Sequence, residues 1–424
     1  MGLKRSNRRR FLKNSALLAG GLTLGAVKPV GSQTSGSQAS SGQTPEPQAY
    51  IKGTEELIAY GQRSRFETAI RHSHGGRHSP DAFGLVMHVA TPLQESVGVI
   101  TPSSLHYVAT TRGSYIPDID PKEHRLMVHG MVDRPLTFTM DDLKRLPSVT
   151  RLHFVECAAN RPSPTAKTIQ DSHGMTSCAE WTGVLLSTLL KEAGVQSGAS
   201  WIVAEGAEEV KGASSIPLAK AMDDCVACYG MNGEAVRPQQ GYPLRLLVPG
   251  FEGIFNVKWL RRIKVVDQYY MTYNDYGHLR QGHEDAALGY MIGPKSVITY
   301  PSAGQQLAGK GFYELKGLAW SGGGTVRRVE VSTDGGRSWK DAEIRGTAHR
   351  MAHTRFSLNW NWDGTETLLL SRCTDELGQI QPTRAQVAEF FKVPLTPDYR
   401  PPGRDNTIQT WRVASDGSVH NAYA

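Results

Sequence analysis

Cysteine offers the most chemistry in this 424-residue chain, and there are five: Cys157, Cys178, Cys225, Cys228 and Cys373. Cys157 stands in Leu152-His153-Phe154-Val155-Glu156-Cys157-Ala158-Ala159-Asn160-Arg161, where β-branched and aromatic residues lead up to the thiol and small residues follow it. That order predicts a short buried strand over 149–155 with the cysteine at its end, where the chain turns into a pocket. A thiolate so placed suits a soft, redox-active metal; a buried structural thiol is the plainer alternative. Two cations interrupt apolar runs further on: Arg245 in Gly241-Tyr242-Pro243-Leu244-Arg245-Leu246-Leu247-Val248-Pro249-Gly250, and Lys258 in Asn256-Val257-Lys258-Trp259-Leu260. A bound anion, such as a cofactor phosphate, would give a reason to hold both near a core; snorkelling stems are the alternative. Cys225-Val226-Ala227-Cys228 has redox or metal spacing, but Tyr229 stands where covalent haem attachment requires His, so no haem is expected on this chain. Two buried thiols in a helix are expected there instead. The stretch from Arg71 to His78 carries His72, His74 and His78 on a Gly-containing loop with neither Cys nor acid, a weak metal site.

The elements that must position these residues alternate along the chain from Leu126 onward. Leu126 to Gly130 reads as a strand, and Thr139 caps a short helix, Met140 to Arg145, that stops before Pro147. After Cys157, Thr182 is placed to cap a helix over Gly183 to Ala193, whose Val184, Leu185, Leu189 and Leu190 share a face and whose terminator is Gly194. Trp201 to Ala204 is another strand, and Ser215-Ile216-Pro217-Leu218 opens a helix with Pro in its first turn. These signals predict an α+β domain with a mixed sheet, running from about residue 50 to Gly293. Beyond it the texture is all-β: Phe312–Trp320, Val326–Ser332, Phe356–Trp362 and Leu368–Thr374 are strand-like and separated by turns such as Thr333-Asp334-Gly335-Gly336. That spacing suits a β-sandwich over 294–395. A Pro-rich, then polar tail over 396–424 is expected to run over a neighbouring surface.

The formal charge of +7 comes from the first 28 residues, which hold Lys4, Arg5, Arg8, Arg9, Arg10, Lys13 and Lys28 and no acid. Without them the chain is neutral, which gives no electrostatic case for nucleic acid or an anionic membrane. Arg8-Arg9-Arg10-Phe11-Leu12-Lys13 has the twin-arginine form, followed by an apolar run from Ala16 to Val27 too short to span a bilayer. Residues 1–28 therefore read as a cleaved signal that exports a folded protein to the periplasm, and 29–49, rich in Ser, Gly and Gln, as a linker.

Taken together, a lone Cys before Ala-x-Asn-Arg, then Glu180-Trp181-Thr182-Gly183, then the Arg245 and Lys258 stretches resemble the sulfite oxidase family of molybdenum enzymes. Ile116-Pro117-Asp118-Ile119-Asp120-Pro121 and Leu318-Ala319-Trp320-Ser321-Gly322-Gly323-Gly324 extend the resemblance from about His106 to Phe391, nearest to the molybdenum subunits of bacterial sulfur-oxidation (Sox) systems. The resemblance implies a Mo-molybdopterin cofactor. It makes Cys157 the molybdenum ligand, and Arg245 and Lys258 the cations on the pterin phosphate, with Asn256 and Val257 supplying nearby backbone. It also implies an immunoglobulin-like C-terminal domain that makes a homodimer, and transfer of electrons to a c-type cytochrome. Tyr276 matches the tyrosine that hydrogen-bonds the reactive oxygen, or is an ordinary core tyrosine. Arg112 lies near the substrate-binding arginine, but ungapped alignment on Pro117–Pro121 puts Thr111 there, so the match needs a one-residue shift; an exposed loop arginine is the alternative. Two departures stand out: Pro162 follows Arg161 where the family has a second Arg, and Gln240 stands where it has His. Fewer cations favour sulfane sulfur on a carrier protein over free sulfite, with a sulfite:cytochrome c oxidoreductase as the alternative. A metal-free periplasmic binding module and a sulfoxide-type reductase are the readings from other classes; the C-terminal β-domain argues against the latter.

Overall fold

The computed structural model describes residues 61, 63–64, 66–73, 87–110, 116–208, 211–272, 291–396 and 405–423. The twin-arginine stretch, the linker, Arg112 and Tyr276 lie outside these residues, as does most of the histidine cluster. Residues 66–424 form one unit.

A small antiparallel sheet opens this unit: β1 (His72–Ser73), β2 (Met87–Ala90) and β3 (Val108–Thr110). The next elements are β4 (Arg125–Gly130), β5 (Leu136–Thr139), α1 (Met140–Arg145), β6 (Val149–Glu156), α2 (Ile169–His173), β7 (Thr176–Leu185) and α3 (Leu186–Ala193). They are followed by β8 (Trp201–Gly206), β9 (Ala213–Pro217), α4 (Leu218–Asp223), β10 (Val226–Met231), β11 (Glu234–Ala235), β12 (Arg245–Leu247) and β13 (Leu260–Val266). Two sheets result. One is mixed, in the order β5-β4-β13-β8-β9, with β4 and β13 parallel. The other runs β11-β10-β7-β6, with β12 also paired to β10. The predicted cap of α1 is present as a reciprocal pair: Asp142 N–H donates to Thr139 Oγ1 (3.1 Å) and Thr139 N–H to Asp142 Oδ2 (2.9 Å). The α+β domain thus forms with short helices and a predominance of strand.

Two local expectations fail for one reason, which is sheet pairing. The helix expected over 183–193 begins only at Leu186, because residues 176–185 are held as β7 between β6 and β10. Thr182 is a strand residue, its hydroxyl paired across the ladder with Thr150 Oγ1 at 2.9 Å, and caps nothing. Cys228 likewise lies in a strand and not in a helix, opposite Gly183 on one side and Arg245 on the other, and Cys225 immediately precedes that strand. A Cβ on Gly183 would collide with the Ala227 backbone, so the strands approach closely there.

The C-terminal part contains β14 (Lys295–Tyr300), β15 (Gly311–Trp320), β16 (Val326–Ser332), β17 (Lys340–Asp341), β18 (Glu343–Arg345), β19 (Thr354–Trp362), β20 (Thr367–Asp375), α5 (Arg384–Phe390), β21 (Thr410–Val413) and β22 (Val419–Asn421). Its sheets, β14-β15-β19-β18 and β17-β16-β20-β21-β22, enclose one core around Trp320, Phe356, Trp362 and Trp411. Residues 410–421, placed by sequence in a tail, are instead two strands of the second sheet, and Trp411 is fully buried. Among the described residues no helix is long and apolar enough to cross a membrane.

Candidate active site

Cys157 follows immediately on the last residue of β6, at the strand end that its sequence predicts, and is partly exposed while the other four cysteines are buried. Burial pushes the thiols of Cys178 and Cys228 up to about 12, so these are inert. The turn after Cys157 is closely bonded. Cys157 N–H donates to Met175 O (3.0 Å), Asn160 N–H to Cys157 O (2.9 Å), and Met175 N–H to Asn160 Oδ1 (2.9 Å). Beneath it, Glu156 is fully buried and receives the ammonium of Lys295 on one oxygen and the indole N–H of Trp320 on the other. Both donors come from the C-terminal part of the chain.

Beside this turn lies a cationic pocket. Arg245, at the start of β12, is buried with its guanidinium 4.7 Å from the Trp181 ring centroid. Its neighbours are neutral: Nη1 donates to Gln240 O (3.1 Å) and Nη2 to Asn256 O (3.3 Å), while Nε meets no acceptor among the described residues. Lys258 Nζ donates to the Ala109 (3.0 Å) and Gln239 (3.2 Å) carbonyls. Burial, then Arg245, push Lys258 down to about 7. Gly241, at φ +106°, lets the turn before β12 close onto Lys258, where a Cβ would sit 2.9 Å from Lys258 Cβ. His106 faces the same charges; burial, with Arg245, Arg71 and Lys258, hold it down to about 3, and its Nε2 meets no partner among the described residues. The buried Arg245, with carbonyls and a ring face for partners, and the His106 nitrogen near it fit an anionic group such as a phosphate.

The structure therefore brings together Cys157, Arg245, Lys258 and Gln240. Gln240 donates from Nε2 to Tyr107 O (2.8 Å), which ties the β12 turn to the segment before β3. Asn256 and Val257 line the floor with their polar groups committed to the chain itself. Asn256 Oδ1 accepts from Val248 N–H (2.8 Å), and Val257 O accepts from Leu246 N–H (2.8 Å). Sequence reasoning missed His106, Tyr107, Arg71 and the part of Trp181 under Arg245. Tyr107 stacks on His106 (5.2 Å) and is raised well above its ordinary value by burial, then by Cys157. Among the described residues no group of three or more His, Cys, Asp or Glu could hold a metal. A metal at Cys157 that brings ligands of its own, as a pterin dithiolene does, fits this donor set.

Comparison with known proteins identifies the family. Residues 113–274 match the family model described as oxidoreductase molybdopterin binding domain, and residues 289–391 that of the Mo-co oxidoreductase dimerisation domain. The chain is 34% identical over 315 residues to a barley (Hordeum vulgare) nitrate reductase [NAD(P)H], covering 64% of this chain and 34% of that protein. It is 32% identical over 275 residues to mouse (Mus musculus) mitochondrial sulfite oxidase, covering 59% of this chain and 50% of that protein. It thus spans between a third and a half of these relatives' length. The crystal structure of the sulfane dehydrogenase SoxCD from Paracoccus pantotrophus superposes with a TM-score of 0.79 at 36% identity, over 88% of this chain and 95% of that one. With a strand-end thiol beside the cations Arg245 and Lys258, and with sequence and fold shared over nearly the whole of a solved relative, this chain belongs to the sulfite oxidase family of molybdenum oxidoreductases.

Proposed function

We propose that this chain is a periplasmic molybdenum oxidoreductase that oxidises a sulfur substrate, sulfane sulfur on a carrier protein or sulfite, and passes the electrons to a c-type cytochrome. The observation that carries the reading is the juxtaposition of Cys157 with the buried Arg245 and the half-buried Lys258, two cations that share only one carboxylate among the described residues, Glu208, on the Lys258 side. When bound, the molybdenum cofactor supplies two-electron oxidation of sulfur with oxygen drawn from water. The chain's residues do the rest. Cys157 holds the metal, Arg245 and Lys258 hold the phosphate, and the Trp181 ring keeps water from the guanidinium. Burial and Arg245 push Lys258 down to about 7, so an anion settling beside it favours its charged form.

Sulfane sulfur is favoured over free sulfite by the neutral side chains at two positions. Gln240 is buried and uncharged, and Arg161 is exposed and followed by Pro162. The similarity to mouse sulfite oxidase supports sulfite as the second reading. Residues 294–395 are read as an immunoglobulin-like domain that pairs two copies; Phe390 on α5 is one of its exposed apolar side chains. The twin-arginine stretch supports export in the folded state. The test is steady-state reduction of cytochrome c by molybdenum-replete protein given sulfite, thiosulfate or a sulfane-loaded carrier. Reduction with a sulfur substrate, and fastest with the carrier, is expected. No reduction with any of the three would overturn the reading.

A further inference from the structure

The residue before Cys157 is held from across the molecule. Glu156 and Lys295 are each 1% exposed, and their contact joins the end of β6 to the first residue of β14. Lys295 and Trp320 are cross-strand partners in the β14–β15 ladder, so one end of one sheet delivers both donors to one carboxylate. Lys295 Nζ also donates to Asn160 O (2.7 Å), and Asn160 Nδ2 donates to Glu156 Oε1 (3.1 Å). Cys157 is thus bracketed on both sides, by Glu156 before it and Asn160 after it, and both residues answer to the same ammonium.

The contact surface around this pair is continuous. Phe154 N–H donates to Met351 O (2.9 Å), and the His353 ring lies 5.2 Å from that of Trp320 and hydrogen-bonds Thr176 Oγ1 (3.0 Å). Gly250 and Gly322 meet backbone to backbone, at a distance a Cβ on either would prevent. A buried ion pair is a poor way to gain stability, since well-packed apolar residues do as well or better. A charge network spent on one turn has a more specific use, which is to fix where that turn's side chain points.

We propose that Lys295 and Trp320 are positioning residues for the Cys157 sulfur, so that the C-terminal domain sets the geometry of the site as well as mediating assembly. This rests on the molybdenum reading only for what the sulfur holds. The test compares full-length wild-type protein with Glu156→Gln/Lys295→Met, which removes both charges at nearly constant volume, and with Trp320→Phe. Three quantities are read: thermal stability, amide hydrogen exchange at Cys157 and Asn160, and the electron paramagnetic resonance signal of the bound metal. The double variant is expected to melt near wild type, yet to exchange at Cys157 and Asn160 about tenfold faster and to show a shifted signal. Trp320→Phe is expected to move the same two readouts less, and carries the test if the double variant does not fold. Wild-type exchange and signal in both variants would overturn the proposal and leave the pair a structural contact. Faster exchange in preparations that contain no metal, wild type included, would support the positioning role while removing the molybdenum reading.

Discussion

Arg245→Met separates a binding cation from a structural one, because its two effects have opposite expectations. In the cofactor-free chain the guanidinium has two bonds to backbone carbonyls, at 3.1 and 3.3 Å, and one ring face. Such bonds contribute about 1.5–3 kcal/mol each and the desolvated cation–π contact about 2 kcal/mol. Against them stands a burial penalty of several kcal/mol for a charge with no counter-ion. The sum is near zero, and the unpartnered Nε tilts it further toward the variant. With an anion in place the balance changes. Two charge-assisted bonds to a phosphate are worth roughly 3–6 kcal/mol, or about two to four orders of magnitude in affinity. The assay is thermal unfolding of cofactor-free and cofactor-loaded protein, with pterin content measured in parallel. The variant should melt within a few degrees of wild type when cofactor-free and should fail to gain the stability that wild type gains on loading. A variant that loses much stability without cofactor, yet retains a full complement of pterin, would refute the reasoning.

The remaining expectations concern charge and assembly. Lys258 sits near 7 in the folded chain against an ordinary value near 10.5, so between these the unfolded chain holds the extra proton. Cofactor-free wild type should therefore gain stability as pH rises from 7 toward 10, by at most about 1.4 kcal/mol per unit, and Lys258→Met should abolish that slope in pH-dependent melts. His353, held to about 3 by burial, refuses a proton that the unfolded chain accepts below about 6.5. Stability should fall from there toward pH 3, with His153, held to about 4, acting in the same direction, and His353→Gln should flatten the acid limb of a denaturation profile. Phe390→Asp places a charge in the exposed apolar surface of α5 and should convert a sedimenting dimer to monomer without loss of bound metal; an intact dimer would place the interface elsewhere.

What the sequence made legible follows from how local the signal is. The β-branched run before Cys157 and its small residues afterwards need no partner to be read, and β6 ends where they say. Arg245 and Lys258 announce themselves because a cation in an apolar run is an anomaly at any distance. The misread segments were decided by pairing. Gly183 to Leu185 has helical periodicity, but the ladders on both sides of β7 outweigh it. Residues 410–421 look like tail because their partner strand, β20, lies some forty residues earlier. Glu156 is the extreme case: its ammonium lies 139 residues away, and nothing near either residue marks them as a pair. The C-terminal domain, expected to contribute only an interface, reaches the residue next to the thiol. A truncation after Gly293 would therefore expose this seam and strand a buried carboxylate. Arg112 and Tyr276 fall outside the described residues.

The most direct test of the central claim is metal and pterin content of full-length protein, wild type and Cys157→Ser, purified from a host that makes the molybdenum cofactor. Wild-type protein should hold one molybdenum and one pterin per chain. The variant should lose most of the metal and all of the activity, since a neutral hydroxyl is a poor ligand for a soft site. Wild-type protein without molybdenum, or a Cys157→Ser variant that keeps both metal and turnover, would contradict the claim.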